Sequence, residues 1–284
     1  MLTLFTIPKA FVGHIGIIQQ NALQSWCRLD PRPEIILFGN DAGVAGAAKE
    51  FGVRHEPAIR ANEHGTPLVS DAFGRAAAMA HSDLLMFSNA DMLFDGSLGR
   101  ALPAFQAFPQ FLASGRRWDI DLPRSLAGAD GEAWRRLFAE RSNDDRLHGP
   151  AGMDYFLFPR KIAFDMPEFA VGRVGWDSWM VWKCRMTGIP VVDATESITA
   201  LHQNHDYTQL KLGRQHERGP ERELNIRAAG GLANMLTLRE ADWRLVDGRV
   251  SRPRWNSRWF ALAARNPVYR LLLACRRRIK SRLG

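Results

Sequence analysis

Cysteine and tyrosine are scarce in this sequence, with three residues of each among 284. Cys27, Cys184 and Cys275 are too few and too scattered for a disulfide framework or a zinc site. Their scarcity favours a reducing compartment, and we expect a cytoplasmic protein. Long apolar runs are also lacking, since none approaches the roughly 18 consecutive residues that a membrane-spanning helix needs. A hydrophobic content of 46% still allows a sizeable core, which excludes a wholly disordered chain.

Acidic residues are absent from the C-terminal segment 256–284, and this absence explains the charge of the whole chain. The sequence has 38 basic and 30 acidic residues, a formal net charge of +8. Eight of the basic residues lie in segment 256–284, so the remainder is balanced. A balanced body offers no broad basic surface for a phosphate backbone, and we therefore expect no nucleic-acid partner.

Segment 256–284 interleaves its basic residues with aromatic and aliphatic ones, and Pro267 is expected to separate a short helix from a longer one. Two interpretations stay open. The segment is either an amphipathic helix on an anionic membrane surface or a helix packed on the body with its arginines in water. We predict a globular domain over 1–247 and a basic amphipathic tail over 248–284, which under the first interpretation is peripheral on the inner face of the membrane.

Strand and helix signals alternate along the first part of the chain. Apolar runs predict strands over 2–7, 34–38, 83–87, 155–158 and 191–192, and a strand pair or edge over 111–121. Helical spacing predicts helices over 15–26, 42–51, 69–80 and 178–187. This order is typical of an α/β fold with a mostly parallel, doubly wound sheet flanked by helices. Residues 122–150 are polar and rich in turn residues, which predicts an inserted loop or flap.

Polar and metal-capable residues follow the predicted strands, which is where open α/β sheets bind their ligands. They are Asn40 and Asp41 after the strand over 34–38, Asn89 and Asp91 after the strand over 83–87, and His202 and His205 near the last. Taken singly, such residues also cap helices or form turns. Their accumulation at one predicted edge favours a binding site.

A longer spacing connects these residues. Asp177 opens a helical segment, Gly188 stands eleven residues later, and His202 fourteen beyond that. Together with Asn89-Ala90-Asp91 at the end of a strand, this pattern resembles the GT-A-fold glycosyltransferases, the nucleotide-diphospho-sugar transferases typified by glycosyltransferase family 2. The resemblance covers roughly residues 2–206. It implies a GT-A fold and the transfer of a sugar from a nucleoside-diphosphate-sugar to a hydroxyl acceptor. The basic tail favours a glycan or lipid-linked acceptor.

The resemblance also implies roles for individual residues. Asp91 is the carboxylate that holds a divalent cation, and His202 is the second ligand, with His205 as the alternative. Such a cation, Mg²⁺ or Mn²⁺, stabilises the departing nucleoside diphosphate, and an imidazole ligand favours Mn²⁺. Asp177 matches the base that deprotonates the acceptor hydroxyl in inverting members. By the resemblance, Thr6, Pro8, Asn40 and Asp41 line the nucleoside pocket, Asn89 contacts the ribose region, and Asp154 backs the donor sugar. Thr66 and Arg75 are candidate contacts for the diphosphate.

Two departures from the family pattern indicate a divergent branch, since Asn89 replaces the first aspartate of the DxD motif and Trp176 replaces a glutamate. Four residues follow the predicted strand at Phe111 and could face the donor sugar or the acceptor: Arg116, Arg117, Trp118 and Asp119. One alternative is a degenerate GT-A domain that binds nucleotide or glycan without turnover. A sugar nucleotidyltransferase is less favoured, because no glycine-rich phosphate loop follows the first strand. The basic tail favours surface-polysaccharide or glycolipid synthesis.

Overall fold

A computed structural model describes residues 1–106, 108–140, 147–205, 219–253, 259–260 and 262–283. Its strands are β1 (Leu2–Thr6), β2 (Glu34–Phe38), β3 (Arg54–Glu56), β4 (Leu84–Ser88), β5 (Met92–Phe94), β6 (Leu112–Ser114), β7 (Trp118–Ile120), β8 (Tyr155–Pro159), β9 (Val191–Asp193), β10 (Ala200–Gln203), β11 (Trp243–Val246) and β12 (Arg249–Ser251). Its helices are α1 (Gly13–Cys27), α2 (Val44–Phe51), α3 (Val69–Met79), α4 (Ser97–Ala101), α5 (Gly131–Ala139), α6 (Trp176–Thr187), α7 (Pro220–Ala228) and α8 (Pro267–Leu283).

The main sheet has nine strands in the order β12-β11-β9-β6-β8-β4-β1-β2-β3. Five of its eight neighbouring pairs are parallel, and the antiparallel ones involve β8 and β12. The prediction of an α/β fold with a mostly parallel sheet is confirmed. Because β3, β2, β1 and β4 run in the same direction, their carboxyl ends meet at one edge of the sheet.

A second, three-stranded sheet in the order β5-β10-β7 lies beyond that edge. Its middle strand β10 is antiparallel to β5 and parallel to β7. This arrangement brings together three segments that are distant in sequence. In its register, His202 stands opposite Met92 on one side and opposite Asp119 on the other.

Both faces of the main sheet are covered, which explains why its strands read as continuous apolar runs. Phe5 is fully buried, and its ring centroid lies 5.1 Å from that of Phe73 and 5.6 Å from that of Phe87. Edge-to-face packing of this kind joins β1, α3 and β4. Truncation of Phe5 to alanine would cost about 3–5 kcal/mol, the usual range for a buried aromatic.

The interpretation of residues 122–150 as a loop needs correction, because the segment contains α5. Asp130 caps this helix by accepting a hydrogen bond from the Ala133 backbone N–H at 2.8 Å. Trp134 and Phe138 are buried one helical turn apart, so the helix packs on the core through one face. Part of the predicted flap, residues 141–146, lies outside the described residues.

The end of the chain is structured in its described part. Strand β12 continues the main sheet beyond residue 247, where we placed the boundary between domain and tail. Helix α8 begins at Pro267, as expected from the preference of proline for a first helical turn. Residues 254–258, 261 and 284 of the tail lie outside the described residues. No helix in the described ranges is both long and apolar enough to cross a membrane.

Candidate metal and donor site

Asp91, His202 and His205 form a compact group at the carboxyl edge of the main sheet. Asp91 lies between β4 and β5, and His202 lies on β10. One ligand atom from each of the three residues falls within 4.8 Å of the others. Asp91 Oδ2 is 3.6 Å from His202 Nε2 and 3.3 Å from His205 Nε2. The structure thus brings together the three residues that the sequence indicated as metal ligands.

This group fits a divalent cation by its chemistry. Asp91 Oδ1 is buried, and among the described residues it has no hydrogen-bond partner. A buried carboxylate oxygen without a partner is costly unless a cation or a donor group satisfies it. One carboxylate with two imidazoles suits Mn²⁺ better than Mg²⁺, which prefers an all-oxygen set.

Opposite charges dominate the electrostatics of the group. Burial alone would raise the pKa of Asp91, but the imidazoles of His202 and His205 hold that pKa far below its usual range. Burial would lower the pKa of His202, yet the carboxylates of Asp91 and Asp119 raise it to about 9. A protonated His202 ring therefore offsets part of the negative charge around it. A bound cation would replace this positive charge.

Asp119 contacts His202 on the side of the ring opposite Asp91. Its Oδ1 lies 3.1 Å from His202 Nδ1, and its Oδ2 lies 2.9 Å from His148 Nδ1. Arg117 Nε donates to Asp119 Oδ1 at 2.9 Å. From the sequence, Arg117 and Asp119 were expected to face sugar or acceptor, and the link from Asp119 to a metal ligand was not foreseen. His148 escaped sequence reasoning entirely, because it follows a turn-rich segment with no periodic signal.

Asn89 and Asp154 form the second part of the site. Because β4 and β8 are antiparallel, Ser88 stands opposite Tyr155, and Asn89 therefore meets Asp154. Asn89 Nδ2 donates to Asp154 Oδ1 at 2.6 Å, and the Asn89 backbone N–H donates to the Asp154 carbonyl at 2.9 Å. Arg117 pairs with the other carboxylate oxygen of Asp154. Both residues that the resemblance assigned to the donor thus lie in one network with Arg117.

Asp177 lies in the first turn of α6. Its N-cap residue is Gly175, whose φ of +120° favours glycine. Asp177 Oδ1 accepts the Ser178 backbone N–H at 2.7 Å. Burial raises the pKa of Asp177 to about 6, and the nearby charge of Asp154 acts in the same direction, whereas the backbone N–H of Ser178 opposes the rise. This carboxyl group can take up and release a proton near neutral pH.

The residues predicted for the nucleoside lie at the same sheet edge. Thr6 ends β1 and is buried, and its hydroxyl has no hydrogen-bond partner among the described residues. Pro8 is also buried, whereas Asn40 and Asp41 are exposed. The N-cap residue of α2 is Gly43, so neither Asn40 nor Asp41 caps that helix.

Thr66 and Arg75, predicted as diphosphate contacts, have other partners. Arg75 Nε pairs with Asp71 at 2.9 Å, and its Nη1 lies 3.6 Å from Glu56. Thr66 lies in a turn in which its backbone N–H donates to Asn62 Oδ1 at 3.0 Å. None of these described contacts reaches the group of Asp91, His202 and His205. Their assignment to the donor stays a prediction.

Comparison with known proteins gives structural neighbours only. No protein-family model matches the chain, and no curated protein matches it. Glucosyl-3-phosphoglycerate synthase from Mycobacterium tuberculosis, solved with Mn²⁺, UDP and phosphoglyceric acid, is 12% identical over 81% of this chain and 79% of that chain, with a TM-score of 0.48. A mannosyltransferase from Pyrobaculum calidifontis, solved with GDP-Man and Mn²⁺, is 13% identical over 96% of this chain and 72% of that chain, with a TM-score of 0.48.

Proposed function

We propose that the protein is a metal-dependent glycosyltransferase, which moves a sugar from a nucleoside-diphosphate-sugar to a hydroxyl acceptor. The observation that carries this proposal is the group of Asp91, His202 and His205, with a buried carboxylate oxygen that lacks a partner among the described residues. It stands at the ligand-binding edge of an α/β sheet. The carboxyl group of Asp177 has a pKa of about 6. Asp154 lies near enough for its charge to contribute to this raised pKa.

Asp91, His202 and His205 would hold Mn²⁺ or Mg²⁺. When bound, the cation supplies Lewis-acid stabilisation of the charge on the departing diphosphate. Asp119 faces the Nδ1 nitrogen of His202 at 3.1 Å as an ion pair, although the angles of this contact are not those of a hydrogen bond. The proposal does not require the first aspartate of the DxD motif. Asn89 stands at that position, and its side-chain amide donates a hydrogen bond to Asp154.

The donor would lie along the edge formed by β1, β2 and β4. Thr6, Pro8, Asn40 and Asp41 would contact the nucleoside, and the buried Thr6 hydroxyl is available for a hydrogen bond. The network of Asn89, Asp154 and Arg117 would face the sugar. Thr66 and Arg75 remain proposed diphosphate contacts, and Arg75 would have to leave Asp71 to reach an anion.

Asp177 would act as the general base. Its ionised carboxylate accepts the proton of the acceptor hydroxyl while that oxygen forms a bond to the anomeric carbon. The bond from the same carbon to the diphosphate oxygen breaks, and its electron pair leaves with the nucleoside diphosphate. Attack on the face opposite the leaving group inverts the configuration. A pKa of about 6 keeps the base ionised near pH 7 while it still binds a proton well.

The acceptor is proposed to be a glycan or a lipid-linked sugar of a surface polysaccharide or glycolipid, used at the cytoplasmic face of a membrane. Support comes from the acid-free basic segment 256–284, whose charge suits an anionic surface.

A degenerate domain that binds nucleotide or glycan without turnover is the second candidate, favoured by the single carboxylate in the metal group. Turnover decides between the two. Release of UDP or GDP from a panel of UDP- and GDP-sugars would be followed with Mn²⁺ present, in wild type and in Asp177→Asn. The proposal predicts release by wild type and a loss of about 10²–10⁴-fold in the variant. Binding of a nucleotide without release from any sugar, with or without candidate acceptors, would favour the degenerate domain.

A further inference from the structure

Helix α8 is held on the body by one face. Tyr269 Oη donates to Glu240 Oε1 at 2.8 Å, and Arg270 Nη1 donates to Asn234 Oδ1 at 3.3 Å. Arg277 Nη1 donates to the carbonyl of Leu232 at 3.1 Å. Leu273 packs against the core from the same side. These contacts support the interpretation that the tail docks on the body, as far as its described part is concerned.

The opposite face of α8 is apolar and exposed. Val268, Leu271, Leu272 and Ile279 are each 59–65% exposed. Their spacing of three, four and seven residues places them on one side of a helix, together with the exposed Cys275. Four large aliphatic side chains on one exposed helix face exceed the scattered apolar residues of an ordinary surface. The outward face of α8, defined by these residues, therefore needs an occupant.

Basic residues border this outward face on both sides. At about 100° per residue, Arg276 and Arg278 lie roughly 80° to either side of Val268, and both are exposed. No acidic residue follows Asp247 in the chain, so the helix itself provides no counter-charge. The acidic partner of its inner side, Glu240, lies on the body. An apolar stripe between two arginine edges is complementary to acyl chains below a layer of anionic headgroups.

A second copy of the chain fits this face less well. A two-fold pair of identical faces would bring the arginine edges of both copies close together with no acidic residue from either helix between them. Anionic lipid removes that repulsion. The stripe is also short and carried by a single helix, which suits the interface plane of a bilayer.

The inner side of α8 leads to the catalytic end of α6. Arg277 binds carbonyl groups of the segment 232–235. The next residue, Leu236, donates its backbone N–H to the Ser178 carbonyl at 3.0 Å, beside Asp177. Burial lowers the pKa of the Arg277 guanidinium, and the negative charge of Asp177 partly opposes this change. The helix that carries the outward face is therefore a neighbour of the proposed base.

We infer that the outward face of α8 docks on an anionic lipid surface, with the helix lying in the interface plane and the body held above it. Docking in this manner keeps the α6 end of the site near the membrane and selects acceptors whose hydroxyl is presented by a lipid. In what it says of the acceptor, this inference rests on the proposed function.

The test uses the full chain and co-sedimentation with vesicles. One set contains phosphatidylglycerol and phosphatidylcholine in equal parts, and the other contains phosphatidylcholine alone. Wild type should bind the anionic set and lose binding at high salt. Leu271→Ser with Leu272→Ser should weaken binding at least about tenfold, through lost apolar burial, and Arg276→Gln about fivefold. Val12→Ser, at an exposed valine outside α8, is the matched control and should bind like wild type.

Unchanged vesicle binding in the double serine variant would overturn the inference. So would equal binding of wild type to both vesicle sets, or a wild-type dimer in analytical ultracentrifugation that the double variant converts to a monomer without any vesicle binding. Titration with UDP and GDP in the presence of Mn²⁺ is carried out on the same samples. Vesicle binding without nucleotide binding would contradict the proposed function and leave the lipid surface supported.

Discussion

Asp119 Oδ1 lies 3.1 Å from Nδ1 of His202, and the other ring nitrogen of this histidine lies 3.6 Å from Asp91. The parallel register of β7 and β10 sets this arrangement, because it places Asp119 directly beside His202. A carboxylate behind a ligating imidazole fixes the ring orientation and increases its basicity toward a metal. The metal group is thus supported by a residue that does not belong to it.

Replacement of Asp119 by asparagine should weaken Mn²⁺ binding by about 10–100-fold, the usual cost of losing such a support. The protein should stay folded, since Asp119 is partly exposed. Electron paramagnetic resonance of free Mn²⁺ during titration measures the affinity. Asp121→Asn is the matched control, because Asp121 accepts from Asn204 at 2.9 Å and contacts no member of the group in the described structure. Equal affinities in the two variants would show that Asp119 does not support His202.

The pH profile should report the proposed base. Because burial raises the pKa of Asp177 to about 6, kcat/KM should be flat above that pH and fall about tenfold per pH unit below it. The profile is measured with saturating Mn²⁺ and a sugar donor that the release assay has identified. A profile that continues to fall or rise with no inflection near pH 6 would argue against Asp177 as the base.

Asp177→Asn should increase stability at neutral pH. The folded protein binds the Asp177 proton more tightly than the unfolded chain, whose carboxyl titrates near 3.8. Ionisation therefore favours unfolding as the pH rises from about 4 to about 6, and the full cost is present above that range. The variant should gain about 1–3 kcal/mol in the free energy of unfolding near pH 8 and almost nothing near pH 4. Urea denaturation at both pH values measures the difference.

Asp83→Asn provides the control for that experiment, because the Asp83 side chain is 88% exposed and should show no gain at either pH. Equal stability of wild type and Asp177→Asn near pH 8 would show that ionisation of Asp177 does not destabilise the folded protein. Such a result would also remove the physical reason for a base near neutral pH.

Gly115 and Tyr155 should be coupled. A Cβ on Gly115 would lie 2.3 Å from the Tyr155 hydroxyl, which is buried and has no hydrogen-bond partner among the described residues. Gly115→Ala should therefore destabilise the fold by about 1–3 kcal/mol through overpacking. Tyr155→Phe removes the clashing oxygen and should recover part of that loss in the double variant. The rest remains because the backbone N and Cα of Thr195 would lie 3.1 and 3.2 Å from the new Cβ. A double-mutant cycle by urea denaturation gives the coupling, and purely additive effects would contradict the close contact.

Sequence reasoning worked where the signal is local. The apolar runs of β1, β2 and β4 and the turn residues after them indicated the sheet and its ligand-binding edge. The spacing of Asp177, Gly188 and His202 indicated a second set of residues, and the structure brings His202 to Asp91. Helix α5 was missed although Asp130 and the buried pair Trp134 and Phe138 are a usable helix signal, because the polar composition around them favoured a loop.

The remaining parts depend on pairing between distant segments. Asp119 and His202 are 83 residues apart in the chain, and only the register of β7 with β10 makes them neighbours. Asn89 meets Asp154 because β8 is antiparallel to β4, which no periodicity reveals. Helical spacing in the sequence defines the two faces of α8. Contacts with Glu240, Asn234 and the carbonyl of Leu232 determine which face packs on the body.

Calorimetric titration of UDP and of GDP, each with and without Mn²⁺, into wild type and Asp91→Ala tests the proposed site most directly. We predict that one nucleotide binds only with Mn²⁺, and that Asp91→Ala abolishes this binding while Asp83→Ala, at an exposed aspartate, retains it. Absence of binding by either nucleotide in a folded wild-type protein, or binding that Asp91→Ala leaves unchanged, would contradict a metal-dependent donor site at Asp91, His202 and His205.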